Sequence, residues 1–106
     1  MIKNTTNKIT LTELERRAHA GYTSDIDYLM SCLETNSSFV VCKMIDYAIG
    51  QVTSTEGRER IKHFLFNGSR IQRNYAALYF KRLGSTSLID EAYRRGCIDE
   101  IQAYSR

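Results

Sequence analysis

The chain has 106 residues, 42% hydrophobic and 25% charged, a balance that predicts one folded domain with a real core and excludes wholesale disorder. Its net charge of +3 is too small to mark a nucleic-acid binder by itself. No apolar run approaches the roughly 20 residues that span a bilayer, and the start lacks the apolar stretch of a secretory signal, so the expected compartment is the cytoplasm.

In chain order, residues 1–8 are polar and aperiodic and are expected to be disordered. Proline is absent, so breaks are read from glycine and from small polar residues that cap helices. Thr10 to Glu13 and Thr53 to Glu56 have the Ser/Thr-x-x-Glu form of a capping box. Thr23/Ser24, Ser37/Ser38, Ser69 and Ser87 are further N-cap candidates, and Gly21, Gly68, Gly84 and Gly96 stand where helix ends favour a left-handed residue. Between these marks, Leu11, Leu14 and Ala18 form one helical stripe, and Ile26, Leu29, Met30 and Leu33 another. In the next segment Val41, Ile45, Ala48 and Val52 line one face while Phe39, Val40, Met44 and Ile49 widen it, which predicts a helix covered on two sides. Ile61, Phe64 and Leu65 follow, then a broad stripe of Ile71, Tyr75, Ala76, Tyr79, Phe80 and Leu83, and finally Leu88, Ile89, Ala92, Ile98 and Ile101.

The pattern predicts helices over 11–20, 24–35, 38–51, 56–67, 70–83 and 87–95, with a terminal turn over 98–104. No segment competes as a strand, so the fold class is all-α. Connections of two to five residues predict antiparallel neighbours, hence six short helices stacked as three helical hairpins. Cys32, Cys42 and Cys97 are widely spaced and form no Cys-x-x-Cys pattern, which fits reduced thiols in or near the core.

The chain also resembles itself. A shift of 31 aligns Val40 with Ile71, Ile45 with Ala76, Ile49 with Phe80 and Val52 with Leu83; a shift of 32 aligns Leu29 with Ile61, Cys32 with Phe64, Leu33 with Leu65 and Ser37 with Ser69. A helix pair used three times, over 10–36, 37–68 and 69–99 within one domain spanning 1–106, accounts for this. The run from Arg73 to Gly84, with its Arg, Ala76-Ala77 pair, Phe80 and closing Gly, is similar to the first helix of a bacterial HEAT-like repeat, and Ile49 to Val52 echoes its second half. That resemblance implies a short HEAT-like α-solenoid and says little of function, because the matching positions are packing positions. The helix-kinking proline common in such repeats is missing.

Catalytic and metal patterns are lacking. His19 and His63 fall in different helix pairs without ligands at metal spacing, and neither nucleophile motifs nor phosphate-cradling glycine loops occur. Glu13, Glu56 and Asp90 sit in first turns, where helix dipoles favour them. No catalytic residue, metal or cofactor is expected. Two surfaces remain. Projection at 100° per residue leaves Asp27, Tyr28, Glu59, His63 and Arg94 off the apolar stripes of the second helices, and in HEAT-like stacks the second helices line the concave side. This predicts a protein-binding module, with Tyr28 as its central contact. The alternative is a nucleic-acid surface on the basic stretch from Arg58 to Arg82, carried by Arg70, Arg73, Lys81 and Arg82. The run from Arg73 to Arg106 also resembles small bacterial immunity proteins, which implies a cognate toxin as the protein partner.

Overall fold

The computed structural model describes residues 9–35 and 38–105. The expected disorder of 1–8, the Ser37 cap with its alignment to Ser69, and Arg106 lie outside the described residues. Within them the fold is all-α: α1 Leu11–Ala20, α2 Thr23–Thr35, α3 Phe39–Ile49, α4 Thr55–Asn67, α5 Arg70–Arg82, α6 Thr86–Arg94 and α7 Glu100–Tyr104, with no strand among the described residues. Each helix begins and ends within two residues of the expected bounds. The terminal turn is a real helix, α7.

The caps explain most boundaries, although not always in the expected pairing. Thr10 caps α1 by accepting the Glu13 amide at 3.2 Å, but the Glu13 carboxylate does not close the box; it takes Arg16 at 2.6 Å and Arg17 at 3.2 Å. At α4 the cap is Ser54 rather than Thr53, with the Gly57 amide donating to Ser54 Oγ at 3.0 Å. Reciprocal capping boxes do form at Ser69/Gln72 and Asp99/Gln102, where glutamine takes the role that glutamate was expected to play. Ser87 lies inside α6, whose start at Ser85 has no side-chain cap. Gly21, Gly84 and Gly96 have positive φ of 68°, 75° and 77°, as helix ends require, whereas Gly68 is extended.

The architecture is organised around α2, which packs on α1, α3, α4 and α5. Ile26, Leu29, Met30 and Leu33 are buried completely or almost so, each contributing about 1.5–3 kcal/mol relative to an exposed position. Three contacts fix how α2 meets α4. Ser54 Oγ donates to the Gly21 carbonyl at 2.7 Å, the Thr23 amide and hydroxyl donate to Glu56 Oε2 at 2.7 and 3.0 Å, and Arg60 grips Asp27 through Nε and Nη2 at 2.7 and 3.3 Å. In every case the partners are 33 residues apart. A constant offset along two helices means that they run parallel, side by side, as successive units of a stack do. The close approach depends on glycine: a Cβ on Gly21 would lie 2.9 Å from Ser54 Cβ, and one on Gly57 3.2 Å from the Gly21 carbonyl oxygen.

The self-alignment holds in helix centres and fails at helix ends. Ile45/Ala76, Ile49/Phe80, Leu29/Ile61 and Leu33/Leu65 are buried pairs, but Val52 is buried where Leu83 is exposed. The next junction is also different. Gln72 Nε2 of α5 donates to the Met30 carbonyl of α2 at 3.0 Å, and Ser69 bonds Glu34, so α5 is fastened to the far half of α2. Tyr79 then locks α5 to the α3–α4 connection: its hydroxyl, fully inside the core, donates to the Val52 carbonyl at 2.6 Å and accepts from Arg58 Nε at 3.2 Å. Finally α7 folds back on α5 and α6 and buries Ala103, closing the C-terminal end of the stack.

Candidate protein-binding surfaces

The residues expected to line the second helices are only partly gathered together. Asp27 faces Arg60 across the α2–α4 seam, and Glu59 and His63 stand exposed one turn apart on the outside of α4. The His63 ring meets Phe64 edge-on at 5.4 Å, while the Arg60 guanidinium lies 5.3 Å from the same Phe64 ring. Arg94 is exposed on α6, whose main packing partners are α5 and α7, and it therefore belongs to the C-terminal cap. Tyr28 is half-buried. The Arg17 guanidinium covers its ring at 4.3 Å from the centroid, held there by Glu13 at 3.2 Å and Asp25 at 3.4 Å. Burial, first, and then the neighbouring Cys32 push the Tyr28 phenol above its ordinary value. Its ring is thus engaged with α1.

The basic stretch is engaged as well. Arg70 pairs with Asp99 at 3.6 Å, Arg73 Nη1 donates to the Gly68 carbonyl at 2.7 Å, Lys81 Nζ donates to the Ser105 carbonyl at 2.7 Å, and Arg82 forms a two-pronged pair with Asp46 at 3.0 and 2.9 Å. This helix is roofed in part by α7 and the residues flanking it, from which Asp99, Gln102 and Ser105 all reach α5. Burial lowers the Lys81 pKa, with Arg82 adding to the effect. Each of these cations has a partner within the chain, although Arg70 keeps 80% of its side chain exposed, so the pairs lower the free charge open to phosphate without removing it.

A third surface was not singled out by the sequence. The expectation that α3 is covered on two sides is wrong: Cys42, Ile45, Ala48 and Ile49 face the core, but Phe39 is 73% exposed, Val40 66% and Tyr47 52%. The physical reason is position. α3 packs on α1 and α2, and these cover only its inner side. Leu11, at the start of α1, joins Phe39, Val40, Lys43, Met44 and Tyr47 around a shallow depression of about 390 Å³. The depression is almost wholly apolar. Lys43, its one charged lining residue, has its ammonium 5.4 Å from the Phe39 ring centroid and no carboxylate within 4 Å among the described residues. The signal was in the sequence as the second apolar row of this segment, which periodicity alone could not separate from core.

Among the described residues, no group of three or more His, Cys, Asp or Glu side chains is placed to hold a metal ion, and no helix is long and apolar enough to cross a membrane. Cys32 and Cys42 are buried, and Cys97 is half-buried with its thiol 3.7 Å from the Phe66 carbonyl. Comparison with protein families, with curated proteins and with solved structures finds no match.

Proposed function

We infer that this protein is a non-enzymatic module that binds another protein, and that its docking surface is the outer face of α3 with the start of α1. The carrying observation is the cluster of Phe39, Val40 and Tyr47, each more than half exposed, beside Leu11 and Met44. Ile101 and Tyr104 of α7 are also exposed, but on α3 the exposed side chains adjoin Leu11 and Met44 around one depression, and contiguous apolar patches of this kind mark association surfaces. Aromatic side chains are also the residues that dominate interface energetics. The Asp27, Tyr28, Glu59, His63 and Arg94 row supports a peripheral part at most, since Asp27 and Tyr28 already have partners within the chain and rim charges act mainly on association rate.

Neutralisation of a cognate toxin, as the likeness to immunity proteins implies, is the specific form of this function that we propose. The test is to express the open reading frame adjoining this gene in a heterologous host. If its product arrests growth, co-expression of the wild-type chain should restore growth and the Phe39→Asp variant, equally folded by circular dichroism, should not. Rescue by both proteins alike would remove the α1/α3 face from the function, and an adjoining product without toxicity would count against the toxin reading.

A further inference from the structure

We propose that the occupant of the α1/α3 depression is an amphipathic α-helix of another protein, carrying a carboxylate at the edge of its apolar face that pairs with Lys43. The proposal rests on the reading of this face as the docking surface and names what fits it. The lining residues set the shape. Phe39, Lys43 and Tyr47 follow one another at four-residue spacing, Val40 and Met44 form a second row beside them, and Leu11 from α1 forms the opposite wall. Residues 39 to 47 span about 12 Å at 1.5 Å per residue, which matches about two turns of a partner helix seated alongside α3.

An extended peptide fits less well. Strand addition needs a row of unpaired backbone N–H and C=O groups, and the backbone of α3 is consumed by its own helix, with the Cys42 amide already donating to the Ser38 carbonyl at 3.0 Å and the Gly50 amide to that of Asp46 at 3.0 Å. What remains is side-chain packing, the mode by which a helix enters a groove.

The charge selects the partner. Among the described residues Lys43 is the only charged group lining the depression, and the acid of the same helix, Asp46, is held by Arg82. Covering the depression with an apolar helix alone would desolvate an ammonium with nothing to compensate it. A second copy of this chain meets the same difficulty, because two-fold pairing of this face brings a second Lys43, and no carboxylate lines it.

The test uses the full chain and a displayed library of helix-forming peptides in which all residue types are allowed on one face and its flanks. Selections run in parallel on the wild-type protein and on Lys43→Glu. Binders from the wild type should lose at least tenfold in affinity on Phe39→Asp, be enriched in Asp or Glu at a position flanking the apolar face, and lose at least tenfold on Lys43→Glu. Changing that peptide acid to Lys should restore affinity for Lys43→Glu to within about threefold, and binders selected on Lys43→Glu should be enriched in Lys or Arg. Binders that need Phe39 but show no preference for an acid, or that bind without becoming helical by circular dichroism, would overturn the proposed occupant while leaving the docking surface in place. Binders indifferent to Phe39→Asp would overturn both. Sedimentation that reveals a dimer of the wild type, lost on Phe39→Asp, would assign the face to a second copy and likewise overturn the proposal.

Discussion

The α2–α4 seam and the outer face of α3 invert what their sequences suggest. The seam is rich in polar groups, yet these meet one another at a fixed offset: Gly21 with Ser54, Thr23 with Glu56, Asp27 with Arg60. The α3 face is rich in apolar groups, yet Phe39, Val40 and Tyr47 meet no covering helix among the described residues. In a stack of helix pairs, charged residues between neighbouring units are spent on holding the units in register, whereas the flank of a helix on the outside of the stack stays open whatever its composition. Polarity alone therefore misjudges which faces are covered, and position in the stack corrects it.

Breaking the core shared by both regions should give the largest effect. Phe80 is nearly buried and edge-on to Tyr79 at 5.1 Å, so Phe80→Ala should cost about 3–5 kcal/mol in denaturant unfolding; a loss under about 1 kcal/mol would contradict its placement. The seam comes next. Ser54→Ala removes the α4 cap and the bond to Gly21 together and should cost about 1–2 kcal/mol, measured the same way. Glu56 sharpens the point through pH. The Thr23 amide, first, and then the Thr23 hydroxyl hold its pKa below the ordinary 4.5, so its contribution is complete above about pH 4.5 and is lost as pH falls through the lowered value. Glu56→Gln should accordingly narrow the difference between melting temperatures at pH 6 and pH 3, and an unchanged difference would remove Glu56 from the seam. The partly exposed Asp27–Arg60 pair should contribute less, about 0.5 kcal/mol in a double-mutant cycle. Smallest of all is the open face, where Phe39→Asp should change stability by no more than about 0.5 kcal/mol.

Much of this fold is legible in the sequence because its signals are local. Glycines and small polar residues bracket every helix, and the buried sets Ile26/Leu29/Met30/Leu33 and Ala76/Tyr79/Phe80 follow directly from helical spacing. What could not be read is whatever depends on partners far along the chain. Glu56 fits a local capping pattern but accepts from the first residue of α2 instead, because the packing of α4 on α2 brings the Thr23 amide and hydroxyl to it. Lys81 looks solvated until the residue after α7 folds back and supplies the Ser105 carbonyl. Tyr28 projects away from its own helix's apolar stripe, yet Arg17 of α1 lies across its ring, which no periodicity within α2 reveals. The α3 face was missed for the converse reason: an all-round apolar helix reads as buried on both sides, and only the arrangement of units shows that one side has no neighbour.

The most direct test of the account is hydrogen exchange on the protein alone and bound to its isolated partner. The account predicts that binding slows exchange in residues 11–14 and 39–47 and leaves 24–34 and 57–66 unchanged. Protection confined to 24–34 and 57–66, with 39–47 unaffected, would contradict it and return the binding surface to the second helices.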